Sequence, residues 1–208
     1  MQIVLKNSDH KLLGRWLPKL AILAWGMALI VVSATLMVDH WVTLPIPSGD
    51  DPKLAQAIDD SRELGELGQW IAVHVLYSKC TCSQRIIEHI FSDDRAVNIK
   101  EKLIIVDNAR PEWEKLAKAK GFSYQVITSK ELHDVYNIPA APIMVVADPQ
   151  GKVHYAGGYT ARKQGPDIQD IAIIEQLMKE NPVKPIPLFG CAVAKGLQKV
   201  FDPLGLKY

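Results

Sequence analysis

The longest hydrophobic stretch of the chain is an uncharged run from Leu20 to Val38. As a helix it would extend about 28 Å, close to the ~30 Å hydrocarbon core of a bilayer. Four basic residues and one acidic residue precede the run, and Trp41 follows it. Because basic flanks stay on the cytoplasmic side, the pattern predicts a cytoplasmic segment over residues 1–19, a single transmembrane helix over 20–38 and a domain outside the cytoplasm. We therefore expect an inner-membrane protein with its C-terminal domain in the periplasm.

A cleaved signal peptide is the competing interpretation of this N-terminus. Val32-Ser33-Ala34 would serve as a small-residue cleavage site. The apolar run continues beyond that site to Val38, which favours a retained anchor. A buried core helix is disfavoured, since the run has no polar face.

The rest of the chain alternates between short apolar runs and amphipathic segments. Residues 39–52 are rich in Pro, Gly and Asp and predict a linker. Buried strands are predicted at 70–77 and 103–106, and further strands at 122–127, 143–147 and 152–156. Helices are predicted at 53–69, 84–91, 111–120, 129–136 and 168–179. This alternation predicts an α/β domain over 53–180 with a mixed central sheet flanked by helices. An extension over 181–208 should carry a short helix that starts near Cys191, and Ser129 should cap the helix that it begins.

Composition narrows the possible functions. Lys and Arg total 24 against 23 for Asp and Glu, a net charge of +1. This balance excludes nucleic-acid binding driven by bulk charge. Three cysteines are too few for a disulfide scaffold or a four-thiolate metal cluster. We expect no cofactor.

The chemistry of the chain is expected at Cys80 and Cys82, which stand directly between a predicted buried strand and a predicted helix. Amides at a helix N-terminus stabilise a thiolate, the nucleophile of disulfide exchange, and Lys79 adds a positive charge. Further along, Pro142 heads a predicted strand, where it cannot donate to the ladder. A cis peptide packed against a reactive sulfur is one reason for such a proline.

Over residues 70–159 the sequence resembles the thioredoxin-like family. The resemblance rests on the strand–cysteine–helix unit at 73–87, the Y-x-I-x-x-x-P-x segment at 136–143 and the strand–turn–Gly–strand that follows. It implies a cis Pro142 facing the cysteines and Cys80 as the attacking cysteine. It also implies that His74 stands where the family commonly has a buried acidic residue that relays protons to the second cysteine. A core histidine bonded to a backbone carbonyl is the alternative.

The chain departs from the family pattern at the second cysteine. Ser83 occupies the position of that cysteine, and the additional thiol is Cys82. A C-x-C pair closes only a very small, strained ring that should be readily reduced. We prefer Cys82 as the resolving thiol. A monothiol Cys80 is an alternative, and Cys191 is either a buried structural thiol or the group that resolves an intermediate on Cys80 or Cys82.

The sequence thus predicts a membrane-tethered thiol–disulfide oxidoreductase. Its partners would be protein or small-molecule thiols and disulfides, a membrane thiol reductant or oxidant, and the bilayer around residues 20–38, with no nucleic acid. Two alternatives are a Cu(I)-handling protein that uses Cys80 and Cys82 as soft ligands, and an interaction module with inert cysteines.

Overall fold

The structure is a computed structural model that describes residues 9–92, 95 and 99–202, without the side chains of 9–15 and 35–41. The chain divides into two units between Val42 and Thr43. The first contains helix α1, Asp9–Trp41, which has Pro18 inside it. Within α1, Trp16–Ala34 has a mean hydropathy of 1.9 and no buried part. Its length and composition suit a membrane span, and a signal sequence near an N-terminus shares these properties.

The second unit is an α/β domain. Its helices are α2 Pro52–Asp60, α3 Thr81–Ser92, α4 Pro111–Ala119, α5 Ser129–Asp134, α6 Asp170–Met178 and α7 Lys195–Phe201, with a 3₁₀ turn at Leu64–Glu66. Its strands are β1 Ile71–Tyr77, β2 Lys100–Val106, β3 Ser123–Ile127, β4 Ala140–Ala141, β5 Ile143–Ala147, β6 Val153–Gly157 and β7 Cys191–Ala192. The strands predicted from the sequence are all present, within a few residues of their expected limits.

Five of the described strands form one mixed sheet in the order β3-β2-β1-β5-β6. Strand β1 is parallel to β2, and β2 is parallel to β3. Strand β5 runs antiparallel to both β1 and β6. This confirms the mixed central sheet, and the fold is thioredoxin-like. All seven residues of β1 are buried, because β1 is the central strand and helices cover both faces of the sheet.

The two faces of the sheet are packed by different elements. On one face, Val73 and Val75 of β1 lie in a cluster with Leu54 and Ile58 of α2 and with Cys80. The opposite face packs against apolar residues of α3, α4 and α6, among them Ile86, Ile87, Ile90, Trp113, Ala117, Ile173, Ile174 and Leu177. Helix α3 therefore starts beside one cluster and runs along the other.

The segments expected to be a linker and an extension contribute to the core of the second unit. Leu44 and Leu188 are buried and form an antiparallel bridge, in which the Leu44 N–H donates to the Leu188 carbonyl at 2.9 Å. Val193 is also buried in the Cys80 cluster. The compact unit accordingly includes residues on both sides of the predicted 53–180 domain, because these apolar side chains complete its core.

Cys191 does not start a helix, contrary to the sequence-based expectation. It lies in β7, which pairs antiparallel with β4, and α7 begins only at Lys195. The N–H groups of Val193 and Ala194 donate to the Pro139 carbonyl at 2.8 and 3.0 Å. Because these backbone groups bond across to another segment, the chain is extended where its apolar spacing indicated a helix.

Candidate active site

Cys80 occupies the junction between the central strand and helix α3. Its N–H donates to the Tyr77 carbonyl at 2.9 Å, and its own carbonyl accepts from the Gln84 N–H at 3.0 Å. Cys80 is thus the residue immediately before the first turn of α3, and it is fully buried. Ser83 is buried as well, and its Oγ accepts a hydrogen bond from the Tyr77 N–H at 3.0 Å. The residue that replaces the usual second cysteine therefore binds the end of β1.

Pro142 lies beside Cys80, as the resemblance implied. The Ala141–Pro142 peptide is cis, and the Cys80 Sγ lies 4.0 Å from the Ala141 carbonyl oxygen. Cys82, which is partly buried, lines a small pocket together with Pro142 and Tyr159. The structure thus brings both cysteines of the C-x-C pair to the cis proline.

The third cysteine reaches the same place from the C-terminal segment. In the β4–β7 pair, Cys191 is the register partner of Ala141. A Cβ on the neighbouring Gly190 would lie 2.1 Å from the Ala141 carbonyl oxygen and 2.6 Å from the Pro142 Cδ. The C-terminal segment therefore packs directly on the cis-proline loop. Cys82 and Cys191 both lie against Cys80, and none of the three cysteines is in a disulfide.

Hydrogen bonds stabilise the thiolate of Cys80. The largest contribution comes from the Cys191 thiol, followed by the Cys82 thiol, and the backbone N–H groups of Ser83 and Cys82 add to it. Burial opposes ionisation, but these donors outweigh it and lower the pKa of Cys80 to about 3. Cys80 is consequently the thiolate of the cluster, with the other two thiols as its donors.

A cleft of about 580 Å³ opens next to the thiolate. Besides the three cysteines it is lined by Tyr77, Lys79, Thr81, Asp107, Ser129, Lys163, Gln164, Gly190, Val193, Lys195 and Gln198. Burial, with the charges of Asp107 and the cysteines, raises the pKa of Tyr77, which keeps its hydroxyl protonated. The Cys80 thiolate and three lysines thus line the same cleft.

His74 is fully buried, and its hydrogen bonds go to side chains other than cysteine. Its Nδ1 lies 2.9 Å from the Tyr159 hydroxyl and its Nε2 lies 3.0 Å from Glu101 Oε1. Because a carboxylate only accepts, Nε2 carries the proton of that bond. Tyr159 stands between His74 and the small pocket that contains Cys82. Among the residues that the structure describes, His74 thus bonds to side chains and not to the backbone carbonyl of the alternative, and its role in proton relay stays a prediction.

The interaction of His74 belongs to a larger buried network that the sequence did not indicate. Arg95 pairs with Glu101 at 2.5 Å and with Asp170 at 2.7 Å, and His89 lies 3.0 Å from Asp170. Burial raises the pKa of Glu101, but the hydrogen bonds from His74 and Arg95 outweigh it, and the net pKa is lowered. The network joins His74 and Asp170 to the intervening residues His89, Arg95 and Glu101, and these five residues belong to no motif.

The described residues contain no group of three or more His, Cys, Asp or Glu side chains placed to hold a metal ion. The Cys82 and Cys191 thiols donate hydrogen bonds to the Cys80 sulfur. Cu(I) is a soft ion that two thiolates can hold, so the alternative site at Cys80 and Cys82 stays a prediction.

The strand order, the cis proline and the cysteine at the start of α3 define a thioredoxin-like α/β domain. The chain belongs to the family DUF6436, described as a domain of unknown function, whose model matches residues 52–180. No curated protein matches the chain.

Solved structures overlap with parts of the chain at low identity. A conserved uncharacterised protein of Geobacillus kaustophilus is 19% identical over 62% of this chain and 78% of its own, with a TM-score of 0.47. A hypothetical protein of Sinorhizobium meliloti is 16% identical over 74% of this chain and 91% of its own, with a TM-score of 0.47. A lipoprotein thioredoxin of Streptococcus pneumoniae is 16% identical over 56% and 87%, with a TM-score of 0.36.

Proposed function

We propose that the protein is a thiol–disulfide oxidoreductase whose attacking nucleophile is the Cys80 thiolate. The observation that carries this proposal is the meeting of all three cysteines around Cys80, at the start of α3 and beside cis-Pro142. A thiolate next to a second thiol, at a cleft large enough for a substrate, has what disulfide exchange requires. Hydrogen bonds from two thiols stabilise the thiolate of Cys80, which favours a reactive cysteine over an inert structural one.

The reaction begins when the Cys80 Sγ attacks one sulfur of a substrate disulfide. A bond forms between Cys80 and that sulfur, the substrate S–S bond breaks, and the other sulfur leaves as a thiolate. A second cysteine, Cys82 or Cys191, then attacks Cys80 and releases the remaining half of the substrate. The enzyme is oxidised by two electrons and the substrate is reduced by two. With an oxidised enzyme and a dithiol substrate, the same steps run in reverse.

The surrounding residues have supporting roles in this proposal. Cis-Pro142 shapes the wall of the site against which the substrate sulfur aligns. His74 is a positioning residue that acts through Tyr159, which bonds to His74 through its hydroxyl and lines the pocket of Cys82 and Pro142. The lysines of the cleft favour substrates that carry negative charge.

We further propose that α1 retains the protein in the inner membrane with the second unit in the periplasm. The uncharged stretch and the basic residues before it support this orientation. Membrane partners that donate or accept thiol electrons would then be in the same membrane as this chain.

The experiment that tests the function is a redox titration of the full chain in detergent, without metal, against mixtures of reduced and oxidised glutathione. Peptide mass mapping identifies the bonded cysteines at each ratio. We expect a reversible disulfide that includes Cys80, with reduction of small disulfides that Cys80→Ser abolishes. If the thiols remain reduced until a strong oxidant is added, the proposed function is wrong.

A further inference from the structure

The backbone edge next to the Cys80 sulfur is already occupied by the chain itself. Strand β4 ends at the residue before cis-Pro142, and β7 pairs with it so that Ala141 faces Cys191 and Ala140 faces Ala192. An exposed strand edge is where extended peptides bind through main-chain hydrogen bonds. In this chain the residue at that edge is Cys191. Its pairing partner, Ala141, is the residue whose carbonyl oxygen lies 4.0 Å from the Cys80 Sγ.

The segment that carries Cys191 is fixed by close backbone packing. On the side before the cysteine, the Gly158 N–H donates to the Ile186 carbonyl at 2.9 Å. A Cβ on Gly158 would lie 2.2 Å from the Pro187 oxygen. At Gly190 a Cβ would overlap the Ala141 carbonyl. Two glycines therefore permit contacts that set the position of Cys191 on the cis-proline loop.

Cys82 is less well placed to form a disulfide with Cys80. It lies two residues further along, in the first turn of α3, where its thiol donates a hydrogen bond to the Cys80 sulfur. Closing the small ring with ordinary disulfide geometry would open the turn in which the Gln84 N–H donates to the Cys80 carbonyl. Cys191 lies on a separate strand, so its disulfide with Cys80 leaves α3 intact.

We propose that Cys191 is the resolving thiol of the site and that the Cys80–Cys191 pair is the working redox couple. This inference rests on the proposed function, in which Cys80 attacks a disulfide. The mixed disulfide on Cys80 is attacked by the Cys191 sulfur, which forms the Cys80–Cys191 bond and expels the second half of the substrate. The Cys191 proton passes to one of the departing thiolates. Cys82 remains a thiol and donates its hydrogen bond.

The first test uses the reduced full chain in detergent with oxidised glutathione as the probe. Wild type should release both halves of glutathione and form a disulfide that maps to Cys80 and Cys191. Cys191→Ser should retain glutathione on Cys80, with the mixed disulfide lasting about a hundredfold longer, since it loses an intramolecular attack. Cys82→Ser should still form the Cys80–Cys191 disulfide.

The possible results separate this inference from the proposed function. If wild type forms a Cys80–Cys82 disulfide, or Cys191→Ser releases both halves at the wild-type rate, the inference is wrong and the oxidoreductase stands. If glutathione never bonds to Cys80 and Cys80 enters no reversible disulfide, both are wrong.

A matched pair of glycine variants tests the geometry. Gly190→Ala inserts a methyl group against the Ala141 carbonyl, whereas Gly196, in α7, has no atom within 4 Å of the added Cβ. We expect Gly190→Ala to slow closure of the Cys80–Cys191 disulfide about a hundredfold, with mixed-disulfide formation at Cys80 retained, and Gly196→Ala to match wild type. Equal closure rates in both variants would contradict the proposal. Should Gly190→Ala not fold, as circular dichroism would show, the Cys191→Ser result decides.

Discussion

The charge on one sulfur atom sets the chemistry of this site. The helix start supplies two backbone donors to Cys80, but the largest contribution to its low pKa comes from the Cys191 thiol. The nucleophilicity of Cys80 therefore depends on Cys191, which is more than a hundred positions away in the sequence. This separation gives Cys191 two roles that substitutions can distinguish: it donates a hydrogen bond, and it can form a disulfide.

Replacing Cys191 by Ser or Ala should separate these two roles. Serine keeps an O–H donor, so the pKa of Cys80 should stay low. Alanine removes the donor, so the pKa of Cys80 should rise. The measurement is the rate of Cys80 alkylation by iodoacetamide against pH, read by peptide mapping. Identical profiles in both variants would show that Cys191 is not the donor.

The low pKa of Cys80 also couples its charge to stability. The unfolded thiol titrates near about 8.5 and the folded one near about 3, so between these values the unfolded chain binds more protons. Stability from this group is fully present above about 8.5 and is lost as the pH falls towards 3. We expect the melting-temperature advantage of reduced wild type over Cys80→Ser to shrink as the pH is lowered. An advantage that does not change with pH would contradict the low pKa.

At the scale of the elements, buried charged side chains connect helix α6 to strand β2 of the sheet. Arg95 pairs with Glu101 of β2 and Asp170 of α6, and the three side chains are 5%, 8% and 1% exposed. Breaking such a group leaves carboxylates buried without a counter-charge, which costs more than the pair contributes.

Arg95→Met should therefore lower the free energy of unfolding by about 3–5 kcal/mol. The matched control is Lys118→Met, which breaks an exposed ion pair with Glu114 and should cause no measurable change. Chemical denaturation followed by circular dichroism measures both. Equal stability of the two variants would mean that the network contributes little.

Sequence reasoning recovered the elements whose signals are local. The apolar run of β1, the Pro at the start of α4 and the turn at 148–151 each encode their structure within a few residues. The predicted N-cap of α5, Ser129, was wrong by one position. The cap is Thr128, whose Oγ1 accepts from the Glu131 N–H, while the Ser129 hydroxyl donates to Asp107. Adjacent hydroxyl residues give the same local signal, and only the tertiary partner distinguishes them.

The parts of the site that were missed depend on long-range pairing. Cys191 was predicted at a helix start because Val193, Leu197 and Val200 have helical spacing, but the backbone before Lys195 bonds to Pro139 and β4. The partners of His74 lie 27 and 85 residues away from it. The pairing of distant polar residues leaves no periodic pattern in a single sequence, so the cysteines and cis-Pro142 were identified and their wider surroundings were not.

At the scale of the whole molecule, the N-terminal helix has the length and composition of a membrane anchor or of a signal sequence, and the proposed anchor can be tested. We expect the protein to remain with membranes after an alkaline carbonate wash, because the Trp16–Ala34 span carries no charge apart from Lys19 near its start. Deleting residues 16–34 should release the chain. The mass of the membrane-bound protein provides a second readout: a chain that begins after Ala34 would show a cleaved signal sequence and contradict the anchor.

The β4–β7 pair makes access to the thiolate a competition within one molecule. A strand tethered to the same chain occupies its site at an effective concentration of about the millimolar range or higher, and dilution does not lower it. To displace β7, a separate polypeptide must be present at a concentration above that value or must bind the edge of β4 far more tightly. Compact disulfides that enter through the cleft would meet no such competitor. We therefore expect the proposed enzyme to prefer small disulfides to extended polypeptide substrates.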